Sequence, residues 1–126
     1  MALRKQYHFR ASARGYRAWD VDRLVKLAEN LPVIKVPLTE IAEVDEPYWF
    51  DGKSRVSCRD IAEHALLIDR ADLSFPIIMS SDRRVMDGMH RVLKALNEGR
   101  SMIDALIFVS DPEPDYVDVL PDELPY

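Results

Sequence analysis

The chain of 126 residues is 48% apolar, carries 22 acidic against 17 basic side chains for a formal charge of −5, and has one cysteine. A disulfide framework is excluded, and no apolar stretch has the length of a membrane-spanning helix. The expectation is one cytoplasmic, soluble domain with a real core and no membrane partner, since MALRKQYHFR lacks the hydrophobic region of a secretory signal.

The charge is unevenly placed. Asp111, Glu113, Asp115, Asp118, Asp122 and Glu123 stand in the last 16 residues without a base, leaving 16 acids against 17 bases in the first 110. We therefore expect a domain over residues 1–110, with residues 1–18 as a basic arm or edge strand, and an acidic tail over 111–126. Arg4, Lys5, Arg10, Arg14 and Arg17 alternate with Tyr7, Phe9, Tyr16 and Trp19. Two readings of this arm are open: it lies along a nucleic acid and stacks on bases, or Gln6 to Phe9 is an edge strand with its aromatics in the core.

Trp19 to Asn30 predicts a helix capped by Asp20, with Val21, Leu24, Val25, Leu27 and Ala28 as its apolar face. Val33 to Val36 predicts a strand stopped by Pro37. Thr39 is then positioned to cap a short turn holding Glu40, a carboxylate that either offsets the helix dipole or acts as a base. Glu43 to Val56 is irregular, with Tyr48-Trp49-Phe50 in succession. These aromatics either wall a base pocket, with Lys53 or Arg55 meeting phosphate or substrate, or plug the core beneath the loop.

Ser57 to Asp69 predicts a helix opened by Ser57 and Asp60, with Ile61, Ala65, Leu66 and Ile68 facing the core, His64 packed among them and Cys58 half-buried. His8, His64 and His90 share no metal-ligand spacing with one another or with Cys58, so no structural metal site is expected. Ile77 to Ser80 and Arg84 to Met86 read as a tight hairpin, with Arg83 and Arg84 solvated or supplementing a nearby site. Asp87 is the expected cap of the next helix, and Gly88 lets the chain turn out of the strand. Val92, Leu93, Ala95 and Leu96 continue the stripe to Gly99, and Ile103 to Val109 reads as a buried strand. Four prolines in the last sixteen residues exclude a helix or central strand there, so the tail is expected to wrap the surface or be partly disordered.

A strand turning through glycine into a helix start points free N–H groups at one spot, where His90 and Arg91 add a ring donor and a guanidinium fork. That reads as a phosphate cradle; a plain cap with a solvated first turn is the alternative. Val85, Asp87, Gly88, His90, Arg91, Ala95 and Gly99 together resemble the core V-x-D-G-x-H/R-R-x-x-x-A-x-x-x-G of the ParB/sulfiredoxin-like superfamily. VIKVPLTEI (Val33 to Ile41) and Pro76-Ile77-Ile78 fit its upstream strands.

The resemblance implies an α+β fold with one small mixed sheet and three principal helices. It also implies a nucleoside phosphate (ATP, ADP or CTP, with Mg²⁺) held at Asp87, Gly88, Met89, His90 and Arg91. Sulfiredoxins reduce a hyperoxidised cysteine with ATP, ParB proteins hydrolyse CTP while clamping DNA, and related free-serine kinases use ADP. Met89 replaces the sulfiredoxin cysteine and has no thiolate to offer, so that chemistry is not expected. Seventeen residues after Val109 are too few for a helix-turn-helix domain, so a stand-alone member is expected. For NTP hydrolysis or phosphotransfer, Glu40 and Asp87 are the candidate catalytic carboxylates, and Asp87 is the candidate Mg²⁺ ligand. The alternative function is a non-catalytic interaction module working with DNA or a DNA-binding protein.

Overall fold

Strand and helix follow in the order β1 (Tyr7–Ala11), β2 (Tyr16–Asp20), α1 (Val21–Ala28), β3 (Ile34–Pro37), α2 (Cys58–Arg70), β4 (Ile77–Met79), β5 (Val85–Asp87), α3 (Met89–Asn97), β6 (Met102–Ile107) and β7 (Tyr116–Val119). The computed structural model describes residues 5–50 and 55–126. The architecture is mixed α and β with two sheets. The strands of one run in the order β1-β2-β7, all antiparallel; those of the other run β3-β6-β4-β5, with β4 parallel to β6. The strand expected at Gln6 to Phe9 thus belongs to a second sheet and not to a single mixed one.

Strand β4 explains the layering. Ile77, Ile78 and Met79 are all buried, and successive side chains leave opposite faces of a strand. Ile77 and Met79 join Val36, Ile41, Val85, Met89, Val92, Ala95, Ile103 and Ala105 in a core beneath α3. Ile78 joins Met86 and Phe108 on the other side, where Trp19 of β2 and Leu24 and Ala28 of α1 pack. The four-stranded sheet is therefore covered on both faces.

Several local expectations are corrected. Asp20 does cap α1, accepting from the Asp22 N–H at 2.9 Å, but Trp19 lies in a strand, not in the helix. Thr39 sits inside a 3-10 turn, Leu38–Glu40, that has no side-chain cap. Ser57 and Asp60 form the complete capping box of α2, yet Ile61, Ala65 and Leu66 are exposed, as is Cys58. Only Asp60, His64 and Ile68, a stripe four residues apart, are half-buried, so α2 rests on the body along one ridge. In α3 the buried residues are Met89, Val92 and Ala95, while Leu96 is exposed.

The acidic tail is bound along the body. It passes beside β2 as β7, an edge strand, which reconciles it with its prolines. Trp19 Nε1 donates to the Pro112 carbonyl at 2.8 Å, Arg23 meets Asp115 at 3.2 Å, Ser12 and the Arg14 N–H donate to Asp118, and Leu124 is buried. The basic arm is itself a hairpin whose Tyr7 and Phe9 pack edge-on or tilted among Tyr16, Tyr116 and Tyr126. Among the described residues no helix is long and apolar enough to cross a membrane.

Candidate functional site

The β5–α3 junction is built by Gly88, which adopts φ +106° and stands as the N-cap of α3. Asp87, expected to cap, makes no such bond. Its Oδ2, at the end of β5, instead accepts from Nη2 of Arg91, in the first turn of α3, at 2.8 Å. Arg91 also donates through Nη1 to the carbonyls of Pro76 at 2.8 Å and Phe75 at 3.1 Å. The expectation of a guanidinium fork open to phosphate is thereby corrected: both terminal nitrogens tie the helix start to the entry of β4. The first amide of α3 with a backbone acceptor is that of Val92, bonded to the Gly88 carbonyl, so the N–H groups of Met89, His90 and Arg91 precede the helical ladder. The Met89 side chain is buried in the core and turned from solvent.

His90 occupies a small aromatic cluster. Its Nε2 lies 2.8 Å from His64 Nδ1, so one ring supplies the proton and the other the lone pair. Trp49 covers both rings, with centroids at 4.2 Å from His64 and 4.3 Å from His90 and planes within 25°. Burial, with the neighbouring His64 charge as a smaller contribution, pushes the His90 pKa down to about 4. His8 is likewise lowered to about 4, chiefly by burial and secondarily by Arg10. Both imidazoles are thus held neutral in the folded chain at pH values where they would charge in the unfolded one. Their contribution to stability is fully present above pH 6.5 and is lost as pH falls through about 4. The urea midpoint should therefore fall from pH 7 to pH 5.5, an interval above the pH at which most carboxylates titrate, and the fall should shrink in His90→Gln. A midpoint flat across that interval would show that the rings are not held neutral.

The other expected site residues are dispersed. Tyr48 donates to the Val85 carbonyl at 3.2 Å, and burial raises its phenol pKa, with Glu43 and Asp87 adding in the same direction. Glu40 is exposed and makes no hydrogen bond or ion pair with the junction among the described residues, so it is not joined to His90 or Asp87. Arg55 is exposed, and Lys53 lies outside the described residues. Among the described residues no three His, Cys, Asp or Glu side chains group as a metal site.

One residue, Glu43, was missed at the sequence level, and another, Arg84, has a different partner from the one expected. Glu43 is 2% exposed, accepting from the Val85 N–H at 2.5 Å through Oε2, while its Oε1 has no hydrogen-bond partner among the described residues. Arg84, expected in solvent or near the cradle, grips Glu46 with both terminal nitrogens, at 3.0 and 2.5 Å, and stands 3.6 Å from Glu43 Oε2. The only sequence signal for Glu43 is a lone acid between Ile41 and Val44 in a turn whose apolar neighbours point inward. No family profile, curated protein or solved structure matches this chain.

Proposed function

We propose that this protein is a ParB/sulfiredoxin-like domain that binds a nucleoside phosphate at the first turn of α3. The observation that carries the reading is the left-handed Gly88 turn, which delivers β5 straight into the helix and leaves the amides of Met89, His90 and Arg91 ahead of the ladder. With His64 Nδ1 donating to His90 Nε2, a neutral His90 carries its proton on Nδ1, a donor for a phosphate oxygen. Trp49 lies over that ring and supplies an aromatic surface beside the phosphate position. Arg91 fixes the junction and does not hold the phosphate. Mg²⁺ in this reading arrives with the nucleotide, keeps mostly water and phosphate oxygens, and finds Asp87 already paired with Arg91. The arrangement supports binding; it supplies no carboxylate base beside the site, and turnover is not part of the proposal.

Calorimetric titration with ATP, ADP, CTP and GTP in Mg²⁺ tests it. The wild type should bind one of them saturably, and His90→Ala should weaken that binding about tenfold or more, the equivalent of ~1.4 kcal/mol. No binding by any of the four, or equal binding by the variant, would overturn the site.

A further inference from the structure

The open sheet edge and the buried Glu43 belong to one groove, of about 870 Å³, lined by the whole of β1 from Tyr7 to Ala11 and by Glu43, Glu46, Pro47, Tyr48 and Trp49, the last of which it shares with the α3 turn. The two strand edges that meet there are treated differently. On β5, the Val85 N–H is taken by Glu43 and its carbonyl by Tyr48, so that edge is closed by side chains. β1 has no such closure. Its pairing with β2 is regular over five residue pairs, without a bulge, and it contains no proline. The bonds from Val21 N–H to Gln6 O and from Ser12 N–H to Gly15 O set the phase of the ladder. By that phase Tyr7, Phe9 and Ala11 direct their backbone N–H and C=O away from β2, toward the groove. An edge this regular is a template for another strand.

The charges of the groove say what that strand carries. Arg84 is matched by Glu46, and Arg10 by Asp82 at 3.5 Å and by Ser80 at 2.8 Å. Glu43 is the least matched: it shares Arg84 with Glu46, Nε standing 3.6 Å from its Oε2, and among the described residues its Oε1 has no hydrogen-bond donor. A buried carboxylate oxygen without a donor is costly to keep, and Glu43 lines the groove together with Tyr48 and Trp49, whose rings favour a cation.

We infer that the groove binds an extended basic peptide of a partner protein. The peptide adds to β1 as a further strand through the backbone of Tyr7, Phe9 and Ala11 and places one lysine or arginine against the part of the groove wall that Glu43 lines. The inference does not rest on nucleotide binding at α3.

The test pans the immobilised full chain with a library of random peptides about nine residues long, which span ~30 Å when extended, acetylated and amidated at their ends. Selected peptides should share one basic position, protect the amides of Tyr7, Phe9 and Ala11 from hydrogen exchange, and lose about tenfold in affinity for Glu43→Gln. Glutamine keeps an acceptor for the Val85 N–H, and Phe9→Pro, which removes an outward-facing donor together with the ring packed on Tyr7 and Tyr16, should weaken binding beyond Phe9→Ala, which removes the ring alone. Selection without a basic position, affinity unchanged in both Glu43→Gln and Phe9→Pro, or β1 protected by self-association without peptide would each overturn the inference.

Discussion

Alanine at position 88 is expected to lower unfolding stability by about 2–4 kcal/mol, whereas alanine at position 99 costs no more than about 1–2 kcal/mol. Both glycines have positive φ, +106° and +73°, so both substitutions carry the penalty of a left-handed Cβ. They differ in surroundings. A Cβ on residue 88 would stand 2.7 Å from Ile77 Cγ2 and 2.9 Å from Arg91 Nη2, while one on residue 99 meets nothing within 4 Å. Neither neighbour at 88 can yield cheaply: Ile77 is fully buried beneath α3, and Arg91 is held by Asp87 and two carbonyls. Paired urea titrations of Gly88→Ala and Gly99→Ala read the difference directly. Equal losses would mean that the β5–α3 junction repacks freely, removing the argument that its geometry is fixed.

Trp19→Ala is expected to cost about 3–5 kcal/mol, the range for emptying a large aromatic site in a core. Trp19 is 3% exposed and packs with Leu24, Ala28, Ile78, Met86 and Phe108, so it joins the three-stranded sheet, α1 and the far face of the four-stranded sheet. Its Nε1 also holds the Pro112 carbonyl, and the guanidinium groups of Arg10 and Arg17 lie 5.8 and 5.7 Å from its ring. The loss should therefore have a second signature besides the lowered midpoint: faster chymotryptic cleavage at Tyr116 under native conditions. Trp19→Phe keeps much of the packing but not the hydrogen bond, and should separate the two effects. If Trp19→Ala left the cleavage rate unchanged, the pairing of β7 with β2 and the contacts of Asp115, Asp118 and Leu124 would suffice to hold the tail.

The features legible in the sequence were those written within one turn or one hairpin. Asp20 before Asp22, Ser57 before Asp60, and the β4–β5 hairpin each involve partners a few residues apart. Strands β2 and β7 escaped because what makes them strands is each other. Trp19 stands next to a helix cap and borrowed its helical character, while the β7 segment looked unfit for pairing among acids and prolines that an edge position tolerates. The apolar residues of α2 fit a core-facing helix, yet the ridge that touches the body carries His64 and Asp60. At the candidate site, the sequence put His90 and Arg91 at a helix start correctly but gave no sign that the carbonyls of Phe75 and Pro76 come within reach of Arg91. Glu43 was invisible for the same reason: its partner is the amide of Val85, far along the chain.

The pairing of β2 with β7 has a consequence for how the chain reaches its native state. Ala18 pairs with Tyr116, so the three-stranded sheet joins the beginning and the end of the described chain. Contacts of such long sequence separation form late, because the loop they close runs from residue 18 to residue 116. During synthesis the β1–β2 hairpin must wait with two unpaired edges, and the β2 edge is released from that state only when β7 has left the ribosome.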